Sequence, residues 1–141
     1  MKVPLLIRWP GHFGAGATDD RLVALLDLAP TIFHATRLAP THPLDGVDLL
    51  NPSADRKELL LEYNRLPVGG WPSWNALVST SFEYVEYGAN GGNFREYYDL
   101  TKDPYQLVNL LHAGNGTKPS TVALSARLHA YMTCVGASCP R

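Results

Sequence analysis

The sequence predicts an α/β protein whose second half is a four-stranded antiparallel sheet packed against a C-terminal helix. Three observations lead there. Val3 to Trp9 is a continuous apolar run closed by Pro10-Gly11, the pattern of a strand buried on both faces, and a helical stretch follows it. From Glu58 onward, four short runs rich in Leu, Val, Tyr and Phe are separated by glycine or proline, as antiparallel strands are. After them Leu124, Leu128 and Tyr131 recur at helical spacing, a stripe that would lie against the sheet.

Each element has a local reason. Gly11, Gly14 and Gly16 make a loop after the first run; Gly-His-Phe-Gly-Ala-Gly lacks both the Lys-Ser/Thr ending of a phosphate loop and the dinucleotide spacing, so it reads as a turn. The apolar run Leu22 to Leu26 ends at Asp27, which can cap a helix from Leu28 to about Thr36 with Pro30 tolerated in its first turn. Pro40 to Asp55, rich in Pro, Asp, Thr and Ser, reads as a linker that divides the chain into residues 1–55 and 56–141. The strands expected next are Glu58 to Tyr63, Asn75 to Thr80, Phe82 to Tyr87 and Phe94 to Leu100. Thr-Lys-Asp-Pro stops the last one, because proline cannot donate to a ladder. Asp103 as N-cap, Pro104 at the first helical position and Gln106 in a capping box predict a short helical turn there. The final helix begins at Ser120 or Thr121.

The 141 residues suffice for one domain with a real core, and no internal repeat is visible. Hydrophobic content of 45%, charged content of 18% and a net charge of -1 exclude a charge-rich disordered segment and leave no basic stripe for nucleic acid. No apolar run approaches the ~20 residues that span a bilayer, and Val3 to Ile7 is too short for a signal-peptide core before Arg8 interrupts it. Cys134 and Cys139 are spaced neither as a redox pair nor as a zinc site, so a small disulfide loop bent at Gly136 is expected. Asn115-Gly-Thr is a glycosylation acceptor, whereas Asn51-Pro-Ser is disqualified by its proline. Both features point to an oxidising compartment.

Four motifs then stand in order: VPLLIRWPGHFGAG, LVALLDLAPTIFHAT with LDGVDLL, YYDLTKDPYQLVNLL, and ARLHAYMTCVGASCPR. This series resembles the C-terminal portion of the sulfatases across nearly the whole chain, and its ending resembles that of N-acetylglucosamine-6-sulfatase-like members and of many secreted microbial arylsulfatases. The resemblance implies the end of an alkaline-phosphatase-like α/β domain (residues 1–55) and a small C-terminal subdomain (56–141). It implies a parent sulfuric ester hydrolase, secreted or lysosomal/periplasmic, that uses formylglycine and calcium on sulfated carbohydrate or aryl sulfate. The formylglycine motif Cys/Ser-x-Pro-x-Arg lies upstream in the family, and Ser138-Cys139-Pro140-Arg141 lacks its spacing. No catalytic or metal-ligating residue is therefore assigned in this chain, and the chain alone is expected to be inactive without its N-terminal partner domain. The alternatives are a non-catalytic binding or scaffold domain of the same descent and a related phosphoester or phosphonate hydrolase. An upstream Cys/Ser-x-Pro-x-Arg decides between the sulfatase and the non-catalytic domain, and the C-terminal motifs disfavour the related hydrolase.

The remaining polar residues read as structural. The five histidines have no partner at ligand spacing, Asp27 and Asp45 read as cap or turn residues, and Tyr84, Tyr87, Tyr97 and Tyr98 read as sheet packing with hydroxyls at the wet edge. One loop stands apart. Asn64 to Trp74 carries Arg65, Trp71 and Trp74 among glycines and prolines, and indole faces suit pyranose C–H groups while guanidinium suits an anion. These three are the candidate substrate-lip residues.

Overall fold

The computed structural model describes residues 3–64, 70–88, 93–115 and 119–140. Helix α1 (Leu28–Thr36) is followed by strands β1 (Leu59–Tyr63), β2 (Trp74–Val78), β3 (Phe82–Tyr87) and β4 (Arg95–Asp99) and by helix α2 (Thr121–Thr133). The strands form one sheet in the order β1-β2-β3-β4, every pair antiparallel. The four strands predicted for the sheet and both helices are present, each within a residue or two of its expected ends.

Side chains alternate across a strand, so register decides which residues meet α2. Leu60, Leu77, Tyr84 and Tyr97 stand opposite one another on the four strands, and all four belong to the core with Leu124 and Leu128 of α2. Leu77, Tyr84 and Leu128 are fully buried. The stripe Leu124, Leu128, Tyr131 thus faces the sheet as its spacing predicts. The β2–β3 turn is held by Ser79, whose Oγ accepts the amides of Ser81 (3.1 Å) and Phe82 (2.9 Å).

Residues 3–9 differ from the expected buried strand. They pair with no strand among the described residues, and Leu6 is 94% exposed. A strand covered on both faces needs neighbours on both edges, and none of the described residues supplies one.

Residues 45–56 are laced onto α1, where the composition suggested a plain linker. Asp27 is completely buried and sits at the N-cap of α1 without capping it. Its carboxylate accepts instead from the amides of Ala24 (2.7 Å) and Val47 (2.8 Å) and from both terminal nitrogens of Arg56 (2.8 and 2.6 Å). Thr31 Oγ1 donates to the Asp27 carbonyl and accepts from Leu49 N–H at 3.0 Å. Arg21 donates to the carbonyls of Leu49, Asn51 and Ala54. Gly46 is where this knot closes, because a Cβ there would lie 2.2 Å from the Leu26 carbonyl oxygen. The Asp-Leu-x-Pro-Thr and Asp-Gly-x-x-Leu motifs are therefore two halves of one polar junction.

The turn after Asp103 closes once, Gln106 N–H to the Asp103 carbonyl at 3.1 Å, and does not go on as a helix. Gln106 has a left-handed backbone (φ 58°), and the Asp103 carboxylate accepts from Leu107 (3.0 Å) and Val108 (2.8 Å) rather than from the first amides of a helix. Residues 109 and 110 then protect the edge of the sheet at β4. Leu110 N–H donates to the Tyr97 carbonyl, and Asn109 Oδ1 accepts from Tyr97 N–H while its Nδ2 donates to the Arg95 carbonyl. An open edge otherwise presents unpaired backbone groups.

Candidate functional site

Antiparallel pairing brings the end of β1, the start of β2 and the end of β3 to the same end of the sheet. Tyr63, Trp74 and Tyr87 are direct register partners there, on the face away from α2. Tyr63 and Trp74 stack with ring centroids 6.1 Å apart and planes 21° from parallel, and Tyr87 tilts against Phe94 at 5.7 Å. Beyond Trp74 and Tyr87 the β2–β3 pairing extends by one bond, Gly88 N–H to the Ser73 carbonyl at 2.8 Å. Gly88 has no room for a side chain without moving Ser73 Oγ, 2.5 Å from where a Cβ would stand. The preceding Trp71-Pro72 then closes one side of an open cleft of about 220 Å³ lined by Tyr63, Trp71, Pro72, Trp74 and Tyr87. Trp71 is 77% exposed.

Burial pushes the Tyr87 phenol up, helped by the Glu96 carboxylate. Burial, with Glu96 beside it, raises Tyr98 to about 12. Both stay neutral phenols at ordinary pH. Among the described residues the cleft presents rings and hydroxyls and no formal charge.

Of the expected lip residues, Trp71 and Trp74 share this cleft, while Arg65 lies outside the described residues. The sequence reading missed Tyr63 and Tyr87. Counting register outward from the Ser79–Phe82 turn pairs Trp74 with Tyr87 and would have found Tyr87, whereas Tyr63 is placed by the β1–β2 register, which that turn does not set.

A second polar cluster lies on the opposite face. Tyr84 Oη donates to Glu86 Oε1 at 2.6 Å, and His129 Nε2 lies 3.0 Å from Glu86 Oε2. Burial drives the Tyr84 phenol up, and Tyr84 is fully buried rather than at a wet edge. Burial alone would raise Glu86, but hydrogen bonds from Tyr84, Ser125 and His129 and the charge of Arg95 hold its carboxyl below the usual range. Two histidines thus find distant carboxylates, the other being His34 with Asp48. Each joins a helix to a neighbouring element. Among the described residues no three His, Cys, Asp or Glu side chains converge in a group that could hold a metal.

A disulfide joins Cys134 and Cys139. The loop it closes reaches back across the chain: Gly136 N–H donates to Asp45 Oδ1 at 2.6 Å, and Gly136, at φ 57°, packs on Pro43. Asn115 is half-buried, with Nδ2 donating to the Asn109 carbonyl at 3.0 Å.

A four-stranded antiparallel meander backed by one helix is the C-terminal architecture of an alkaline-phosphatase-like sulfatase, and solved sulfatases share it. A putative sulfatase from Bacteroides thetaiotaomicron VPI-5482 is similar at 20% identity and TM-score 0.57 over 75% of this chain and 23% of that one. A protein solved in complex with its substrate D-glucosamine-2-N,6-O-disulfate gives 19% identity and TM-score 0.56, covering 73% and 22%. A 2-O GAG sulfatase gives 20% identity and TM-score 0.56, covering 75% and 23%. At such identity the likeness is one of fold, and the chain spans less than a quarter of each of these proteins. Residues 1–133 match the family described as N-sulphoglucosamine sulphohydrolase, C-terminal, and the chain belongs to that family.

Proposed function

We propose that this chain serves as the C-terminal part of a sulfuric ester hydrolase acting on sulfated sugar or aryl esters. Residues 1–55 end its large α/β domain and 56–141 form its small subdomain. The observation that carries this reading is the family match over residues 1–133. Formylglycine and calcium chemistry belongs to the parent's upstream motifs, and no step is assigned to residues of this chain. Arg65, Trp71 and Trp74 form part of the substrate lip and influence which ester is taken. The disulfide supports an exported parent, secreted or lysosomal/periplasmic, in which Asn115 is the acceptor for a glycan.

The experiment compares the full-length protein with the 141-residue chain on N-sulfated glucosamine and on an aryl sulfate, measuring released sulfate. Turnover is expected only from the full-length protein. A full-length protein inert on every sulfate ester, with no Cys/Ser-x-Pro-x-Arg upstream, would leave the non-catalytic reading in place.

A further inference from the structure

The aromatic cleft has a chemistry of its own. Its five described lining residues are two phenols, two indoles and a pyrrolidine ring, with no carboxylate, amine or guanidinium among them. Among the described lining residues a sulfate group would find no counter-charge, and a charged-group hydrogen bond is the main means of holding one. A neutral ring with C–H groups on its face would instead meet flat aromatic surfaces whose faces carry partial negative charge. The volume limits the guest further: about 220 Å³ falls below the roughly 300–1,000 Å³ of pockets for drug-sized ligands, which suits a single ring.

The platform is also rigid. Tyr63, Trp74 and Tyr87 are set by strand register, so their rings lose little freedom on binding, while Trp71 exposes 77% of its surface beside them.

We propose that the cleft of Tyr63, Trp71, Pro72, Trp74 and Tyr87 is a subsite for an uncharged pyranose ring, recognising carbohydrate independently of its sulfation. This rests on the reading that the parent protein acts on sulfated sugars. It assigns this cleft to a neighbouring ring of the saccharide, and the sulfated group to another part of the parent.

The test uses the full-length protein and chitotriose, an uncharged oligomer of N-acetylglucosamine, titrated with binding followed by NMR shifts and tryptophan fluorescence. Weak saturable binding is expected, unchanged when salt is raised about tenfold, because screening acts only on charges. Trp71→Ala should weaken it by about tenfold, the loss of one stacked aromatic face, whereas Trp71→Phe should retain most of it. Trp71 is exposed, so both variants keep the core, which circular dichroism checks. No chitotriose binding, equal binding by Trp71→Ala, or binding that fades with salt would overturn the inference, as would preference of the cleft for a proline-rich peptide. Sulfate release is measured on the same preparations. Turnover without chitotriose binding sinks the subsite alone, while Trp71-dependent binding without any turnover supports the subsite and sinks the hydrolase.

Discussion

Replacing Arg56 by methionine removes the charged partner of Asp27 while keeping most of the side-chain volume. Asp27 has no exposed surface, the Arg56 side chain is only 8% exposed, and two short charge-assisted bonds join them. Deleting one member of a buried pair costs about 3–5 kcal/mol, because the other is left as an unpaired charge. The amides of Ala24 and Val47 still hold the carboxylate in the variant, which places the expected loss at the lower end, about 3 kcal/mol. That is a large share of a total stability of about 5–15 kcal/mol. Equilibrium unfolding in urea, followed by tryptophan fluorescence, should show the midpoint falling by roughly 1–3 M at the usual slopes for a small domain. The double variant Asp27→Asn/Arg56→Met should cost less than the two single changes added together, since it removes both charges. A midpoint within error of the parent, or additive single changes, would refute the account of this junction as a coupled buried pair.

Gly46→Ala should destabilise the same junction by about 2 kcal/mol or more, since its methyl would collide with the Leu26 carbonyl; the same urea titration reads it. Cys134→Ser/Cys139→Ser should lower stability by about 2 kcal/mol, and non-reduced peptide mass spectrometry of the parent should find the two cysteines linked. Acid stability should depend on Glu86: its folded pKa is depressed, so its contribution is present above the unfolded value and is lost as pH falls through the folded one. Glu58 works in the opposite sense, since burial raises its carboxyl and protonation on acidification relieves that cost. Glu86→Gln should therefore flatten the acid limb of the stability curve, read as melting temperature against pH, and an unchanged limb would contradict it.

Local pattern was enough for the four strands of the sheet, both helices and the disulfide, because alternation, helical spacing and short-range geometry are all written within a few residues. It failed where partners are far apart. Asp27 looks like an ordinary helix cap, and its real partners lie 20 and 29 residues away at Val47 and Arg56. Val3 to Trp9 has the composition of a buried strand, but composition does not supply neighbours. Asp103 and Gln106 satisfy the capping pattern, yet the carboxylate found better donors at Leu107 and Val108, and Gln106 Nε2 pairs with Glu83 across the turn. Tyr63 and Tyr87 entered the cleft through strand register, a long-range quantity that the turn at Ser79 encodes for Tyr87 alone.

The β1-β2-β3-β4 order also has a kinetic meaning. Every strand pairs with its neighbour in sequence, so each step in building the sheet closes a short loop and carries a small entropic cost. The shortest closure is the Ser79–Phe82 turn, which makes β2–β3 the natural hairpin to zip first, with β1 and β4 added at its flanks. All the strand pairing of the meander is therefore local, and a sheet zipped in this way shows its Leu77 and Tyr84 face to solvent until Leu124 and Leu128 of α2 dock to cover it.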